Sequence, residues 1–205
     1  MMEIKRIRVG KLYTNCYVVS SNGVAFVIDP GEDADKINDY CVKSGLKVEG
    51  ILLTHGHHDH VGGVAELKSL TGAKVYASPL TDRVANSAYN MAYEMGETPK
   101  YFEVDAHVND GDHITMGDMT LTVVATPGHT SGCTCFMLDD NIFSGDTLFQ
   151  TSYGRTDLPT GSFTLLEKSL KKLFNLEGDF KVHPGHGFST TLESERKHNI
   201  INFND

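Results

Sequence analysis

A histidine-rich segment in the first third of the chain carries the residues whose types and spacing could do chemistry. Four imidazoles and one carboxylate stand between positions 55 and 60, directly after the apolar run 48–53. Such a run, followed by a threonine and a glycine, indicates a buried strand that opens into a loop. Imidazole nitrogens and carboxylate oxygens are ordinary ligands of zinc and similar divalent ions. The segment therefore predicts a metal site at the end of a strand.

Three later segments share this arrangement of an apolar strand followed by a turn with a metal-type side chain. They are Thr126-Pro127-Gly128-His129, Ser144-Gly145-Asp146-Thr147 and His183-Pro184-Gly185-His186-Gly187. Glycine or proline beside each candidate lets the backbone turn sharply and approach other groups closely. Singly, each is better explained as a hydrogen-bonded loop histidine or a turn aspartate. Their occurrence together with the segment at 55–60 makes chance a poor explanation.

The histidine-rich segment and Asp29 also have interpretations without a metal. A surface loop or an expression tag would explain a histidine-rich run, but a tag is terminal and uniform, whereas this run is internal and interrupted by Gly56 and Asp59. Asp29 follows the apolar run 25–28 and precedes Pro30-Gly31. A turn-capping role is the favoured interpretation of that aspartate alone.

Composition and charge limit the possible classes of function. The chain has 205 residues, of which 40% are hydrophobic and 22% are charged, as in an ordinary soluble protein. A net charge of −9 without a basic run argues against a nucleic-acid surface. No apolar stretch approaches the roughly 20 residues of a membrane span, and the first residues lack a signal-peptide core. We expect a cytoplasmic protein with reduced cysteines and no nucleic-acid or membrane partner; monomer and homodimer both stay open.

Strand and helix patterns alternate along the chain without a linker-like segment. Apolar and alternating runs predict strands near 3–9, 16–19, 25–28, 48–53, 73–77, 121–125, 133–138, 141–144 and 180–182. Helical spacing predicts helices at 33–43, from 61 onward, and at 81–95, 163–174 and 191–200. This order predicts a single domain over residues 1–205, with two stacked sheets and helices outside each.

The motifs resemble those of the metallo-β-lactamase fold. T-H-G-H-H-D-H (54–60), T-P-G-H-T-S-G (126–132), S-G-D-T-L-F (144–149) and P-G-H-G (184–187) look like its sequential motifs, and V-I-D-P-G (27–31) resembles the first of them. The resemblance implies an α+β fold, a four-layer αββα sandwich with a metal site at the rim of its sheets.

The resemblance also implies a ligand set for two divalent ions, with zinc the first expectation and iron or manganese as alternatives. The set is His55, His57, Asp59, His60, His129, Asp146 and His186. One ion would take His55, His57 and His129. The other would take Asp59, His60 and His186. Asp146 would bridge both ions, and Asp29 would orient a ligand.

The remaining histidines and two cysteines are expected to lie outside the site. His58 fills a variable position of the motif and is expected to point away from the ions. His183 and the pair Cys133 and Cys135 are expected to pack in the core, and His107, His113 and His198 to be surface or structural residues.

The segment 144–162 resembles a loop of glyoxalase II (hydroxyacylglutathione hydrolase) and of its short single-domain relatives. That resemblance implies cleavage of a small-molecule thioester such as lactoylglutathione by a hydroxide held at the metals, which Asp59 would orient or whose proton it would move. Arg155 stands where glyoxalase II has a basic residue near the glutathione carboxylate; a salt bridge to Asp157 explains it equally well. Glyoxalase II carries a further carboxy-terminal helical region, so a chain ending at Asp205 is expected to have a more open pocket.

Several other functions occur on this fold. A persulfide dioxygenase, with one iron held by two histidines and one aspartate and a similar G-R-T-D loop, is the main alternative. A true β-lactamase is disfavoured by the missing export signal, and an RNA-processing enzyme by the missing basic surface. A flavodiiron-type oxidoreductase would have glutamate at position 57. A non-catalytic metal-binding protein is disfavoured because every ligand position is filled.

Overall fold

A computed structural model describes residues 2–201 of the chain. Its strands are β1 (Glu3–Val9), β2 (Thr14–Ser21), β3 (Val24–Ile28), β4 (Lys47–Leu52), β5 (Lys74–Ala77), β6 (Ala106–His107), β7 (His113–Met116), β8 (Met119–Ala125), β9 (Thr134–Leu138), β10 (Asn141–Gly145), β11 (Leu148–Phe149), β12 (Ser152–Tyr153), β13 (Lys181–Pro184) and β14 (Thr190–Thr191). Its helices are α1 (Ala34–Lys43), α2 (His58–Val61), α3 (Val64–Thr71), α4 (Pro79–Ala85), α5 (Phe163–Phe174) and α6 (Leu192–His198), with one 3₁₀ turn at Ala88–Asn90.

The strands form two six-stranded sheets and a small ribbon. The first sheet has the order β1-β2-β3-β4-β5-β6, the second has the order β14-β13-β10-β9-β8-β7, and β11 pairs with β12. Strands β3, β4 and β5 run parallel, and so do β10 and β13. Because parallel strands end at the same edge of a sheet, the loops that follow β3 and β4 are neighbours.

Three apolar clusters separate four layers. The middle cluster joins the facing sides of the two sheets through residues such as Phe26, Leu52 and Phe143. A second cluster packs α1 and α3 on the outer face of the first sheet, and a third packs α5 and α6 on the outer face of the second. This arrangement confirms the predicted αββα sandwich. No helix within residues 2–201 combines the length and apolar character needed to cross a bilayer.

The predicted helix over 81–95 is wrong in its length. Helix α4 ends at Ala85, and only the 3₁₀ turn at Ala88–Asn90 follows. The Asn86 side-chain oxygen accepts the amide of Phe102, and the Asn90 oxygen accepts the amide of Ala92. These side chains bond to the backbone in place of a continued helix, which is the usual reason that asparagine interrupts one.

Candidate metal centre

The structure brings together the seven side chains of the predicted ligand set. Each stands just beyond the end of a strand or in the short helix α2, at the rim where the two sheets meet. His55 and His57 follow β4, Asp59 and His60 lie in α2, His129 lies between β8 and β9, Asp146 follows β10, and His186 follows β13.

Three of the histidines form one compact group. One ring nitrogen each of His55, His57 and His129 lies within 4.8 Å of the other two. The His57 Nδ1 is 2.9 Å from the His129 Nε2. All three side chains are buried. Three imidazoles converging in this way match a zinc-type ligand group.

A second group lies beside the first and is more open to solvent. Asp59, His60 and His186 each bring one ligand atom within 4.8 Å of the others. The Asp59 Oδ2 is 3.1 Å from the His186 Nε2 and 3.5 Å from the His60 Nε2. The side chain of His186 is 29% exposed, whereas that of His60 is fully buried.

Asp146 connects the two groups. Its Oδ2 lies 3.6 Å from the Nε2 of His129 in the first group and 3.6 Å from the Nε2 of His186 in the second. Its Oδ1 lies 3.4 Å from the Nε2 of His60. One carboxylate therefore faces both positions, as expected of a bridging ligand in a two-metal site.

Unpaired buried atoms show that the cluster fits bound cations. Among the described residues, the Nε2 of His55 and the Oδ1 of Asp146 are buried without a hydrogen-bond partner. The Nε2 atoms of His60 and His186 face each other at 3.3 Å. Buried polar atoms without partners are costly, and a divalent ion accepting these lone pairs removes that cost. The cluster is suited to a binuclear metal site.

The electrostatics of the cluster favour the same conclusion. Burial would raise the pKa of Asp59 and Asp146, but the neighbouring imidazoles lower it, to about 2 for Asp59 and well below its usual value for Asp146. Burial lowers the pKa of His55, and that of His57 to about 4. The carboxylates are therefore charged and these two imidazoles neutral near pH 7, which is the state that metal binding requires. Burial would lower the pKa of His60 and His186, but the neighbouring carboxylates raise it, so an ion binding there would displace protons.

Asp29 lies behind the candidate ligands, and one of its oxygens is also within 4.8 Å of a ring nitrogen of His55 and of His60. Its Oδ1 accepts the amide of Thr54 at 2.8 Å, and its Oδ2 accepts the Thr54 hydroxyl at 2.6 Å. The same Oδ2 lies 2.8 Å from the Nδ1 of His60, and the Thr54 Oγ1 lies 3.1 Å from the Nδ1 of His55. Contacts of this kind fix the ring orientation of ligating histidines and leave Nε2 available.

Two contacts of the site had no signal in the sequence. The Thr14 hydroxyl, at the start of β2, lies 3.1 Å from the Oδ2 of Asp59 and donates to it. The backbone carbonyl of Arg155 lies 2.7 Å from the Nδ1 of His129. A carbonyl contact depends on where the loop folds and not on the side chain at that position, so residue types cannot reveal it.

Glycines allow the backbones around the site to approach closely. A Cβ on Gly31 would lie 1.6 Å from the carbonyl oxygen of Asp59, and one on Gly154 would lie 1.9 Å from the carbonyl oxygen of Asp146. Real Cβ contacts are never this short. The D-P-G turn and the loop after β12 thus pack directly against the segments that carry two candidate ligands, Asp59 and Asp146.

The structure also places Arg155 and the histidines and cysteines that were expected to lie outside the metal site. The Arg155 guanidinium makes a paired salt bridge with Asp157 at 2.7 and 2.6 Å, and both side chains are exposed. His58 is outside the ligand groups, but it is buried. His183 is half-buried and stacks on the core residue Phe143. The remaining exposed histidines and buried thiols, also outside the ligand groups, are His107, His113, His198, Cys133 and Cys135.

Comparison with known proteins settles the family. The family model for the metallo-β-lactamase superfamily matches residues 9–186. The chain belongs to this superfamily. A *Haemophilus influenzae* protein named hydroxyacylglutathione hydrolase GloC is 32% identical, over 97% of this chain and 97% of that protein.

Solved structures of superfamily members share the whole fold of this metallo-β-lactamase-type chain. BLEG-1, a B3 metallo-β-lactamase, superposes with a TM-score of 0.91 at 33% identity, covering 97% of this chain and 98% of that one. TTHA1623 in a di-iron-bound form gives 0.88 at 34% identity, covering 96% and 98%. ETHE1 from *Myxococcus xanthus* gives 0.82 at 27% identity, covering 97% and 83%.

Proposed function

We propose that this protein is a thioester hydrolase of the glyoxalase II type, which cleaves a hydroxyacyl-glutathione or a related thioester with two divalent ions, zinc first among them. The observation that carries the proposal is the pair of complete ligand groups joined by Asp146. The similar length and end-to-end alignment of the *H. influenzae* hydroxyacylglutathione hydrolase support the choice of substrate class.

The residues around the ions have distinct tasks in this reaction. When bound, the two ions supply an activated water at neutral pH and polarise the thioester carbonyl. Asp59, ionised and partly open to solvent, is placed to orient a water and to accept its proton, while the Thr14 hydroxyl fixes the Oδ2. The Arg155 carbonyl and Asp29 hold the rings of His129 and His60.

A persulfide dioxygenase is the second candidate, favoured by the likeness to ETHE1. Such an enzyme uses one iron, whereas here Asp59, His60 and His186 complete a second ligand group.

Two tests on the purified protein separate the thioesterase from the dioxygenase. One is its metal content, and the other compares its activity on lactoylglutathione with its oxygen uptake in the presence of glutathione persulfide. The thioesterase predicts two metals per chain and thioester cleavage; one iron with persulfide-dependent oxygen uptake would overturn it. Hydrolysis of a β-lactam by the same purified protein tests whether the likeness to BLEG-1 extends to its activity.

Removing the metal is expected to abolish hydrolysis. Dialysis against a chelator should lower thioester turnover by at least about 10³-fold, because without the ions no group in the cluster makes water nucleophilic at neutral pH. Steady-state rates before dialysis, after it, and after adding back zinc, iron or manganese measure the effect. Turnover that persists in metal-free protein would contradict the proposed chemistry.

Arg155 is expected to contribute to binding an anionic substrate. Arg155→Ala should raise KM for a glutathione thioester about tenfold with little change in kcat, because a charge-assisted hydrogen bond is lost. Asp157→Ala is the matched control, since it frees the guanidinium from its salt bridge and should leave KM unchanged or lower it. Equal KM values for Arg155→Ala and the wild type would contradict a role in substrate binding and leave the salt bridge to Asp157 as the explanation of this side chain.

The remaining expectations on location and partners are also proposals. The four cysteines are free and buried, which fits a reducing compartment, and we propose the cytoplasm. The partner is a small thioester substrate.

A further inference from the structure

The loop that carries His186 has little regular structure of its own. It follows β13 at Pro184, and Gly187 adopts a φ of +77°. His186 is the most exposed of the seven candidate ligands. A ligand on such a loop binds an ion tightly only if something else holds the loop, because ordering it costs conformational entropy.

Strand β2, in the other sheet, holds this loop through two buried side chains, Asn15 and Tyr17, here called the β2 support. The Asn15 Nδ2 donates to the carbonyl of Pro184 at 2.9 Å and to that of Gly187 at 3.2 Å. The Tyr17 hydroxyl donates to the same Pro184 carbonyl at 2.8 Å. The backbone amide of Asn15 donates to the carbonyl of Gly185 at 2.7 Å.

The carbonyls that accept these hydrogen bonds lie on both sides of His186 in the sequence. Both side chains of the β2 support are buried, and their bonds to the Pro184 carbonyl are buried and shielded from solvent. Arg6, the cross-strand neighbour of Tyr17, adds a further donor to the Gly187 carbonyl at 3.2 Å. Neither Asn15 nor Tyr17 belongs to a candidate ligand group. Among the described residues, their hydrogen bonds to this loop all go to its backbone carbonyls.

We propose that Asn15 and Tyr17 are positioning residues that set the affinity of the second metal position by holding His186 in place. The first position, formed by His55, His57 and His129, is independent of them because no described hydrogen bond of the β2 support reaches that group. The proposal rests on the two-ion centre of the proposed function but not on thioester chemistry.

The test is titration of the metal-free full-length protein with zinc alone, in competition with a chromophoric chelator. The wild type should bind zinc in two steps. Asn15→Ala should weaken the second step by about tenfold or more, the usual effect of removing a residue that orients a ligand. Tyr17→Phe, which removes one hydroxyl and keeps the ring, should weaken it by about threefold. The first step should not change in either variant.

Ser21→Ala is the matched control, because Ser21 lies at the far end of the same strand and bonds to Asp118 instead of the loop. It should leave both steps unchanged.

Two unchanged steps in Asn15→Ala and Tyr17→Phe, or an equal weakening of both steps, would overturn the proposal. If Asn15→Ala does not fold, Tyr17→Phe decides alone. A single step in the wild type would overturn the two-ion form of the proposed function as well, whereas normal zinc binding without thioester cleavage would overturn the substrate class only.

Discussion

Asp146→Ala is expected to reduce thioester turnover by roughly 10³-fold and to leave one metal per chain. Asp146 faces ligand atoms of both groups, at 3.6 Å from His129 and 3.6 Å from His186. Its removal takes away the shared carboxylate and the negative charge that offsets repulsion between two cations. Metal analysis of the purified variant and its kcat/KM with lactoylglutathione measure the two effects.

Asp157→Ala serves as the control for the loss of a carboxylate. Asp157 is exposed and paired with Arg155, so its removal should keep two metals per chain. Near-normal turnover by Asp146→Ala would exclude the two-ion mechanism. Normal metal content with lost turnover would instead give this aspartate a role in catalysis alone.

Gly185→Ala is expected to have the second largest effect, with loss of the second metal and at least a hundredfold decrease in turnover. A Cβ at this position would lie 2.2 Å from the Oδ1 of Asp146 and 2.5 Å from the Cε1 of His60. Both side chains are buried and cannot move without leaving the ligand arrangement. Metal content and turnover of the folded variant provide the measurement.

Gly187→Ala, two residues further on, separates this steric effect from backbone strain. Gly187 has a φ of +77°, but a Cβ there would meet no atom within 4 Å. Its substitution should cost about 1 kcal/mol of stability and leave both metals bound. Equal metal loss in the two variants would show that glycine is needed at position 185 for the flexibility of the loop, and not for its close approach to Asp146 and His60.

The positions at which strands end in loops with candidate ligands could be predicted from the sequence. The apolar run 48–53 and the glycine and proline turns after it are local signals, and they predicted the loop of His55 correctly. The strands near 133–138 and 141–144 were predicted for the same reason, and β9 and β10 lie there. The convergence of the separate motifs on one place was expected from their resemblance to the motifs of the metallo-β-lactamase fold.

Features that depend on how distant segments pack were not predictable. The contacts of Thr14 and Asn15 need the register of β2 against loops far along the chain. The ribbon of β11 and β12 is only two residues long in each strand, too short for a periodic signal. The end of α4 depends on asparagine side chains that find backbone partners only in the folded state.

The origin of the candidate ligands in two different sheets has a consequence for folding. His55 and His57 extend from the first sheet, and His129, Asp146 and His186 from the second. An ion bound to both sets would act as a removable cross-link across the middle apolar layer, and it would stabilise the native state in proportion to the logarithm of its concentration over its Kd. The loaded protein should consequently tolerate cavities between Phe26 and Phe143 that unfold the metal-free chain.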